Sequence, residues 1–176
     1  MAFSRMILAA IFMILISDST AKTNDLVHDI CSATASSSIK FEDCASALES
    51  DPRTPKADLK LLAKITMELG ISNSTNTESL IKNMASNVTT PETLRKPLKE
   101  CLESYVNLIA SFKGALTELD VDPMSANYDV KMVGDYALYC ENALTREKAK
   151  IGAVSIRNSY AMLYSSIGYV ITARLQ

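Results

Sequence analysis

The stretch CSATASSSIKFEDCASALESDPRTPKADL, residues 31–59, decides the fold of this chain. It holds two cysteines, Cys31 and Cys44, with twelve residues between them. Apolar residues recur at three- and four-residue spacing around each cysteine, which is typical of short amphipathic helices, and the serines of segment 36–38 favour a turn. The stretch therefore predicts a helical hairpin that leads into the rest of the chain.

A proline-rich segment follows the hairpin. Asp51-Pro52 ends the second helix, because the residue before a proline is disfavoured in the α conformation. Thr54-Pro55 predicts the start of the next helix, with the threonine as N-cap and the proline at the first helical position.

The N-terminus has the pattern of a secretory signal peptide. A short basic start, residues 1–5, precedes an uninterrupted apolar run from Met6 to Ile16 and a small-residue segment that ends at Ala21. A membrane anchor is the alternative, but the run is far shorter than the ~20 residues that span a bilayer. The sequence therefore predicts a signal peptide over residues 1–21 and a secreted mature chain that begins at Lys22.

The mature chain, residues 22–176, has the length and composition of one helical domain. About 155 residues are enough for a single core, and helix-forming residues are plentiful, whereas Gly and Pro number five each. The formal net charge is -2 and the sequence pI is about 5.5, so the clustered cations that nucleic acid binding requires are not expected.

Four further helices are predicted after the hairpin of residues 22–57. They cover about residues 58–87, 91–119, 124–144 and 155–176, and short connections favour antiparallel neighbours, hence an all-α, up-down-up-down four-helix bundle over 58–176. The middle of the first, segment 72–77, is a weak helix former. The clearest core seam lies in the second helix, at Leu94, Leu98, Cys101, Tyr105, Leu108, Phe112, Ala115 and Leu119. Apolar spacing also assigns Val88 of the first helix, and Ile156, Tyr160, Leu163, Ile167 and Val170 of the last, to the core.

Four cysteines in a secreted chain indicate two disulfides, because the secretory route is oxidising. Free buried thiols are the alternative. Sequence alone allows three pairings.

These residues carry a resemblance to a known family. The Cys-x12-Cys pair, the phrase Leu-Glu-Ser-Asp-Pro-Arg with Asp-Leu after it (residues 48–59), and the second pair, Cys101 and Cys140, resemble the plant invertase and pectin methylesterase inhibitors. The segment 125–140 is similar to pollen-allergen members of that family. The resemblance covers about residue 25 to the C-terminus. It implies pairing of Cys31 with Cys44 and of Cys101 with Cys140, which also suits helices in antiparallel order.

The resemblance also implies a function. Family members inhibit plant cell-wall or vacuolar enzymes by capping the active-site cleft in a one-to-one complex, with no cofactor. In the invertase inhibitors a Pro-Lys-Phe triplet near the start of the third bundle helix enters the cleft, and the corresponding residues here are Pro123-Met124-Ser125. Loss of the cation and the ring removes a charged anchor and an apolar one. Pectin methylesterase is therefore favoured as the target over invertase, with a family member that inhibits neither as an alternative.

The third bundle helix has a candidate binding face. A turn of 100° per residue places one set of residues opposite the predicted core positions: Met124, Tyr128, Lys131, Asp135 and Asn142. Exposed methionine and tyrosine beside charged residues are typical of protein interfaces. An ordinary solvated face is the alternative.

Other kinds of site find less support. His28 is the only histidine and has no evident nucleophile to activate, and the cysteine spacing does not suit zinc, so neither an enzyme nor a metal site is expected. A carrier of small apolar ligands would need a cavity in the bundle, which the large seam residues disfavour. Two sequons, at Asn73 and Asn87, are candidate glycosylation sites.

Overall fold

The computed structural model describes residues 25–36 and 38–176, and the predicted signal peptide lies outside them. Helix α1 occupies residues 25–34, and α2 occupies Phe41–Glu49. A 3-10 turn at Thr54–Lys56 leads to α3 (Leu59–Ser86), α4 (Glu92–Glu118), α5 (Pro123–Arg146) and α6 (Gly152–Ala173). The all-α prediction is confirmed, since residues 25–36 and 38–176 contain no strand.

Helices α3 to α6 form the bundle. Helix α4 packs against α3 and α5, and α6 packs against the same two helices. An ion pair between Lys60 and Asp120 joins the start of α3 to the turn after α4, and Lys96 Nζ lies 2.8 Å from Glu147 Oε1 at the end of α5. Neighbouring helices therefore run antiparallel, and the predicted up-down-up-down order is confirmed.

The predicted seam of α4 forms the centre of the core. Its members from Leu98 to Leu119 are buried, and Leu94 is half-buried. Helices α3 and α4 approach closely at Gly70, where a Cβ atom would lie 2.5 Å from Phe112 Cζ. The core also holds a polar group: Tyr105 Oη donates to Asn158 Oδ1 at 2.9 Å, and Asn158 Nδ2 donates to Glu141 Oε2 at 2.8 Å. These two hydrogen bonds link α4, α6 and α5.

Two disulfides join neighbouring helices. Cys31 pairs with Cys44 in the hairpin, and Cys101 pairs with Cys140 between α4 and α5, as the resemblance implies. All four cysteines are buried. Both disulfides therefore belong to the core and not to the surface.

Ion pairs attach the hairpin to the bundle. Arg53 Nη2 lies 2.6 Å from Asp51 Oδ2 and 2.7 Å from Glu68 Oε2 on α3. At the other end of the hairpin, Arg174 after α6 pairs with Asp29 of α1. Arg53 of the Asp-Pro-Arg motif thus links the segment before α3 to the side of that helix.

The predicted start of the helix after the hairpin was wrong. Thr54-Pro55 forms only the 3-10 turn, in which buried Thr54 Oγ1 donates to the carbonyl of Leu48 at 2.6 Å. Asp58 is the N-cap of α3, because its Oδ1 accepts from the backbone N–H of Leu61 at 2.8 Å. The helix then continues through the weak segment 72–77, where packing of Ser74 and Thr77 into the core overrides low propensity.

Three predicted core positions were also wrong. Val88 lies beyond the end of α3 and is 90% exposed, and Ile156 and Tyr160 of α6 are 61% and 46% exposed. Leu163 and Ile167 of the predicted set are buried and Val170 is half-buried, but the buried face of α6 is rotated relative to the prediction because its neighbours require small or polar residues there. A Cβ atom at Gly168, for example, would lie 2.7 Å from Val130 Cγ1 of α5. The face that α6 buries consists of Val154, Asn158, Ala161, Leu163, Tyr164, Ser165, Ile167, Gly168, Ile171 and Thr172.

Candidate binding face of helix α5

The start of α5 is fixed by a cap. Asp122 is the N-cap residue and Pro123 occupies the first turn. Asp122 accepts from the backbone N–H of Ser125 at 3.2 Å and from its hydroxyl at 2.7 Å. These hydrogen bonds from Ser125 hold the pKa of Asp122 below its usual range. Half-buried Ser125 therefore helps to begin the helix, and Met124 is the one exposed residue of the triplet.

The predicted outward residues do share one exposed face. Met124 and Tyr128 are 68% and 62% exposed, Lys131 and Asn142 are exposed, and Asp135 is half-buried. Large apolar side chains left in water on a regular helix are available for contact with another protein.

The face extends further than the sequence predicted. Leu138 and Tyr139 follow Asp135 by three and four residues and are 47% and 58% exposed. The ring of Tyr139 packs edge-on against Tyr136, with centroids 6.2 Å apart. The same helical spacing that identified Asp135 could have found both. The α5 face is hereafter Met124, Tyr128, Lys131, Asp135, Leu138, Tyr139 and Asn142.

The opposite side of α5 anchors this face to the bundle. Ser165 Oγ on α6 donates to the carbonyl of Val130 at 2.7 Å and accepts from the N–H of Gly134 at 3.1 Å. Asn127 Nδ2 donates to the carbonyl of Tyr169 at 2.9 Å and to Thr172 Oγ1 at 2.8 Å. With the disulfide to α4 on its other flank, α5 is held along most of its length. The α5 face is therefore a preorganised surface.

Carboxylates lie beneath the start of the face. Asp129 packs against the backbone of α4 at Gly114, whose absent side chain leaves room for it. Glu118 lies one turn further along α4, and its Oε2 is buried without a hydrogen-bond partner. Burial raises the pKa of Asp129, and burial followed by repulsion from Asp129 raises the pKa of Glu118.

The histidine considered as a catalytic residue lies on the N-terminal hairpin. His28 is exposed on α1, with its ring centroid 5.2 Å from that of Phe41. In the part of the chain that the structure describes, no three His, Cys, Asp or Glu residues are placed to hold a metal ion. A cavity of about 240 Å³ lies between the hairpin and α6 beside Ile39, Ile156 and Tyr160, but it is a surface groove outside the bundle seam.

The two sequons lie in different surroundings. Asn73 is in the middle of α3, beside a groove lined by α6 residues, whereas Asn87 is the exposed C-cap of the same helix.

The architecture defines a class, a disulfide-stapled four-helix bundle with a helical hairpin at its N-terminus. Within the described ranges, no helix is long and apolar enough to cross a membrane. Residues 25–167 match the sequence profile of the plant invertase/pectin methylesterase inhibitors. The chain belongs to this family.

Individual relatives agree with this assignment. The Arabidopsis thaliana protein named cell wall / vacuolar inhibitor of fructosidase 2 is 33% identical over 151 residues, which cover 85% of this chain and 82% of the relative. The pectinesterase inhibitor of Actinidia deliciosa is 31% identical over 123 residues, covering 68% and 63%. The crystal structure of a mutant form of an Arabidopsis pectin methylesterase inhibitor superposes with a TM-score of 0.72 at 20% identity, covering 82% of this chain and 93% of that one. This last similarity concerns the fold.

Proposed function

We propose that the protein inhibits a pectin methylesterase by occluding its active-site cleft in a one-to-one complex, with the α5 face as the contact surface. The observation that carries the proposal is the exposure of Met124 and Tyr128 on a helix whose other side is fixed to α4 and α6. Aromatic residues on a rigid support are the usual energetic centres of protein interfaces.

The dimensions of α5 suit this role. The helix has 24 residues and is therefore about 36 Å long, enough to lie across a cleft. A stable interface needs about 800 Å² from each partner, so the α5 face would supply the centre and adjoining residues the rim. Because the face adds no catalytic group, its effect is steric, and inhibition should be stoichiometric and reversible.

An acid invertase is the second candidate target. The observation that favours it is the 33% identity to a relative named as an inhibitor of fructosidase. Against it, Met124 and Ser125 stand where the invertase inhibitors carry lysine and phenylalanine, and the Ser125 side chain is engaged by Asp122. The resemblance implies that pectin methylesterase inhibitors do not depend on that triplet, so the esterase is the favoured target.

The proposal includes secretion. Residues 1–21 would be removed as a signal peptide, and residues 22–176 would form the mature inhibitor in the apoplast, with the vacuole as the alternative destination. Two buried disulfides support an oxidising compartment.

The test is a parallel titration of the purified mature protein against a plant pectin methylesterase and an acid invertase. We expect the esterase activity to fall linearly to an end point at one equivalent. Tyr128→Ala should raise the Kd at least tenfold, because it removes a large apolar contact, and Lys131→Glu should also weaken binding.

Two matched controls locate the surface. Tyr160→Ala removes an exposed tyrosine from α6, and Asp25→Ala removes a charge from the distant hairpin. Neither should change the Kd by more than about twofold, since such surface changes are usually worth less than 0.5 kcal/mol. Full inhibition by Tyr128→Ala together with loss of inhibition by a control would place the contact surface elsewhere. Inhibition of invertase alone would replace the proposed target.

A further inference from the structure

We infer that the protein carries one N-linked glycan, at Asn87, and that the second sequon at Asn73 is left unmodified. The inference goes beyond inhibition and concerns how the chain is processed. It follows from the different geometry of the two asparagines.

Asn87 lies in an exposed turn. It is the C-cap of α3, with the extended backbone angles φ -70° and ψ 126°, and the next residue, Val88, is 90% exposed. Asn87 Oδ1 accepts from the backbone N–H of Thr89 at 2.9 Å and from its hydroxyl at 2.8 Å. Since the hydrogen bonds of this side chain use the oxygen, Nδ2 is left available on the solvent side of a surface turn, where glycosylation acceptors lie.

Asn73 is half-buried where α3 packs against α6. It lies in the middle of a continuous 28-residue helix, and its Oδ1 is buried without a hydrogen-bond partner. The next residue of the sequon, Ser74, is fully buried. The groove beside Asn73 is lined by Ile156, Arg157 and Tyr160 of α6. A glycan at Asn73 would fill this groove and crowd the side chains of α6 that line it, so a chain modified there would pack α6 poorly against α3.

The chemistry requires only the usual donor of the secretory pathway, an oligosaccharide linked to a lipid diphosphate. Asn87 Nδ2 forms the new bond to the anomeric carbon, and the bond from that carbon to the diphosphate oxygen breaks. The lipid diphosphate leaves, and Nδ2 gives one proton to a base of the transferase. No group of this chain is oxidised or reduced.

The position of Asn87 in the bundle explains why the fold tolerates a glycan there. Asn87 lies at the end of the bundle where Lys96 meets Glu147, whereas Met124 lies at the other end, next to Asp120 and Lys60. The 28 residues of α3 separate these ends by about 40 Å. The glycan would therefore stand well away from Met124 and Tyr128, whereas Asn142, at the far end of the α5 face, lies at the same end of the bundle as Asn87.

The experiment is expression of the chain in human cells with a heterologous signal peptide, so that its outcome does not depend on residues 1–21. The secreted protein is treated with a glycosidase in heavy-oxygen water, which converts each occupied asparagine to a labelled aspartate, and peptides are mapped by mass spectrometry. We expect label at Asn87 in most molecules and none at Asn73.

Variants separate the two sequons. Asn87→Gln and Thr89→Ala should each abolish the mass difference between treated and untreated protein. Thr75→Ala, which breaks the other sequon at an exposed helical residue and leaves Asn73 in place, should retain it. Label at Asn73, or secreted folded protein without any glycan, would overturn the inference.

Discussion

Ser125 donates its side-chain hydroxyl to Asp122, and the residue therefore belongs to the cap of α5 as much as to any binding surface. The side chain of its neighbour Met124, in contrast, points into solvent and is 68% exposed. In the triplet that aligns with the invertase-binding motif, Ser125 thus contributes to the helix cap, whereas Met124 is available for contact with a partner. Any attempt to restore the motif must take account of the cap.

A double substitution tests the proposed loss of invertase recognition. Met124→Lys with Ser125→Phe should increase inhibition of acid invertase, because it supplies the cation and ring that the resemblance associates with the invertase cleft. It should lower the free energy of unfolding by about 1 kcal/mol, since the hydroxyl bond to Asp122 is lost while the backbone bond remains. The measurements are an inhibition titration and urea unfolding.

Ser125→Ala is the control for this pair, because it loses the same hydrogen bond without adding a ring. It should reproduce the loss of stability and leave invertase inhibition unchanged. Potent invertase inhibition by the wild type, unaltered in the double variant, would mean that another surface recognises that enzyme.

The buried hydroxyl of Tyr105 gives a second prediction at this scale. Burial raises the pKa of Tyr105, so its hydroxyl remains a donor to Asn158 Oδ1. Tyr105→Phe should lower the free energy of unfolding by about 1–2 kcal/mol, because the buried amide oxygen is then left unpaired. Tyr139→Phe removes a hydroxyl from an exposed ring and should change stability by less than 0.5 kcal/mol. Equal unfolding midpoints in urea for the two variants would contradict this account.

At the scale of elements, the turn between α4 and α5 concentrates negative charge. Glu118, Asp122 and Asp129 lie close to one another, and the cation nearby, Lys60, is paired with Asp120. Burial of Asp129 against Gly114 favours its neutral form. Asp129 and Glu118 should therefore favour this turn in mild acid, whereas Asp122, whose pKa is lowered, contributes stability that is lost below about pH 4.

The raised pKa of Asp129 predicts that stability depends on pH. An aspartate whose pKa is raised on folding binds more protons in the native state, so its contribution to stability is lost as pH rises from about 4 through the raised pKa. Asp129→Asn cannot ionise, and its stability relative to wild type should therefore be higher at pH 7 than at pH 4. Urea unfolding at both pH values measures this difference.

Glu103→Gln removes one negative charge from an exposed position on α4 and is the matched control. Its difference from wild type should be nearly the same at both pH values. If Asp129→Asn behaved like this control, the buried carboxylate would not be a source of pH dependence.

The helices differ in how much of their packing could be predicted from sequence. The seam of α4 was predictable, because large apolar residues such as Leu98 and Phe112 recur at helical spacing on the side that packs against α3 and α5. Helix α6 was predictable only in part. Leu163 and Ile167 are buried as predicted, but close approach to α5 selects Gly168 and the hydrogen bond to Tyr105 selects Asn158, and neither residue has an apolar signal. The helical spacing therefore assigned Tyr160 to the core, although its side chain is exposed. The α5 face was found because its opposite side is uniformly apolar, which left the exposed side well defined.

At the scale of the whole molecule, the two disulfides divide the chain into a hairpin and a bundle. The Cys31–Cys44 bond closes a short loop within the hairpin, whereas the Cys101–Cys140 bond spans α4 and α5 and holds the support of the α5 face. Loop length and position both indicate that the second bond matters more for the bundle.

Removal of each disulfide should therefore have a distinct effect. By the chain-entropy model, loops of about 14 and 40 residues contribute about 3 and about 4 kcal/mol. Cys101→Ala with Cys140→Ala should lower the Tm of the main transition and weaken inhibition, because α5 loses a tether directly behind its exposed face. Cys31→Ala with Cys44→Ala should mainly loosen the hairpin, whose buried residues Ile30 and Leu48 still pack into the core. Calorimetry and hydrogen exchange distinguish the cases, since the first variant should lose amide protection in α4 and α5 and the second in residues 25–49. Loss of protection across the whole bundle in the hairpin variant would show that the two parts unfold as one unit.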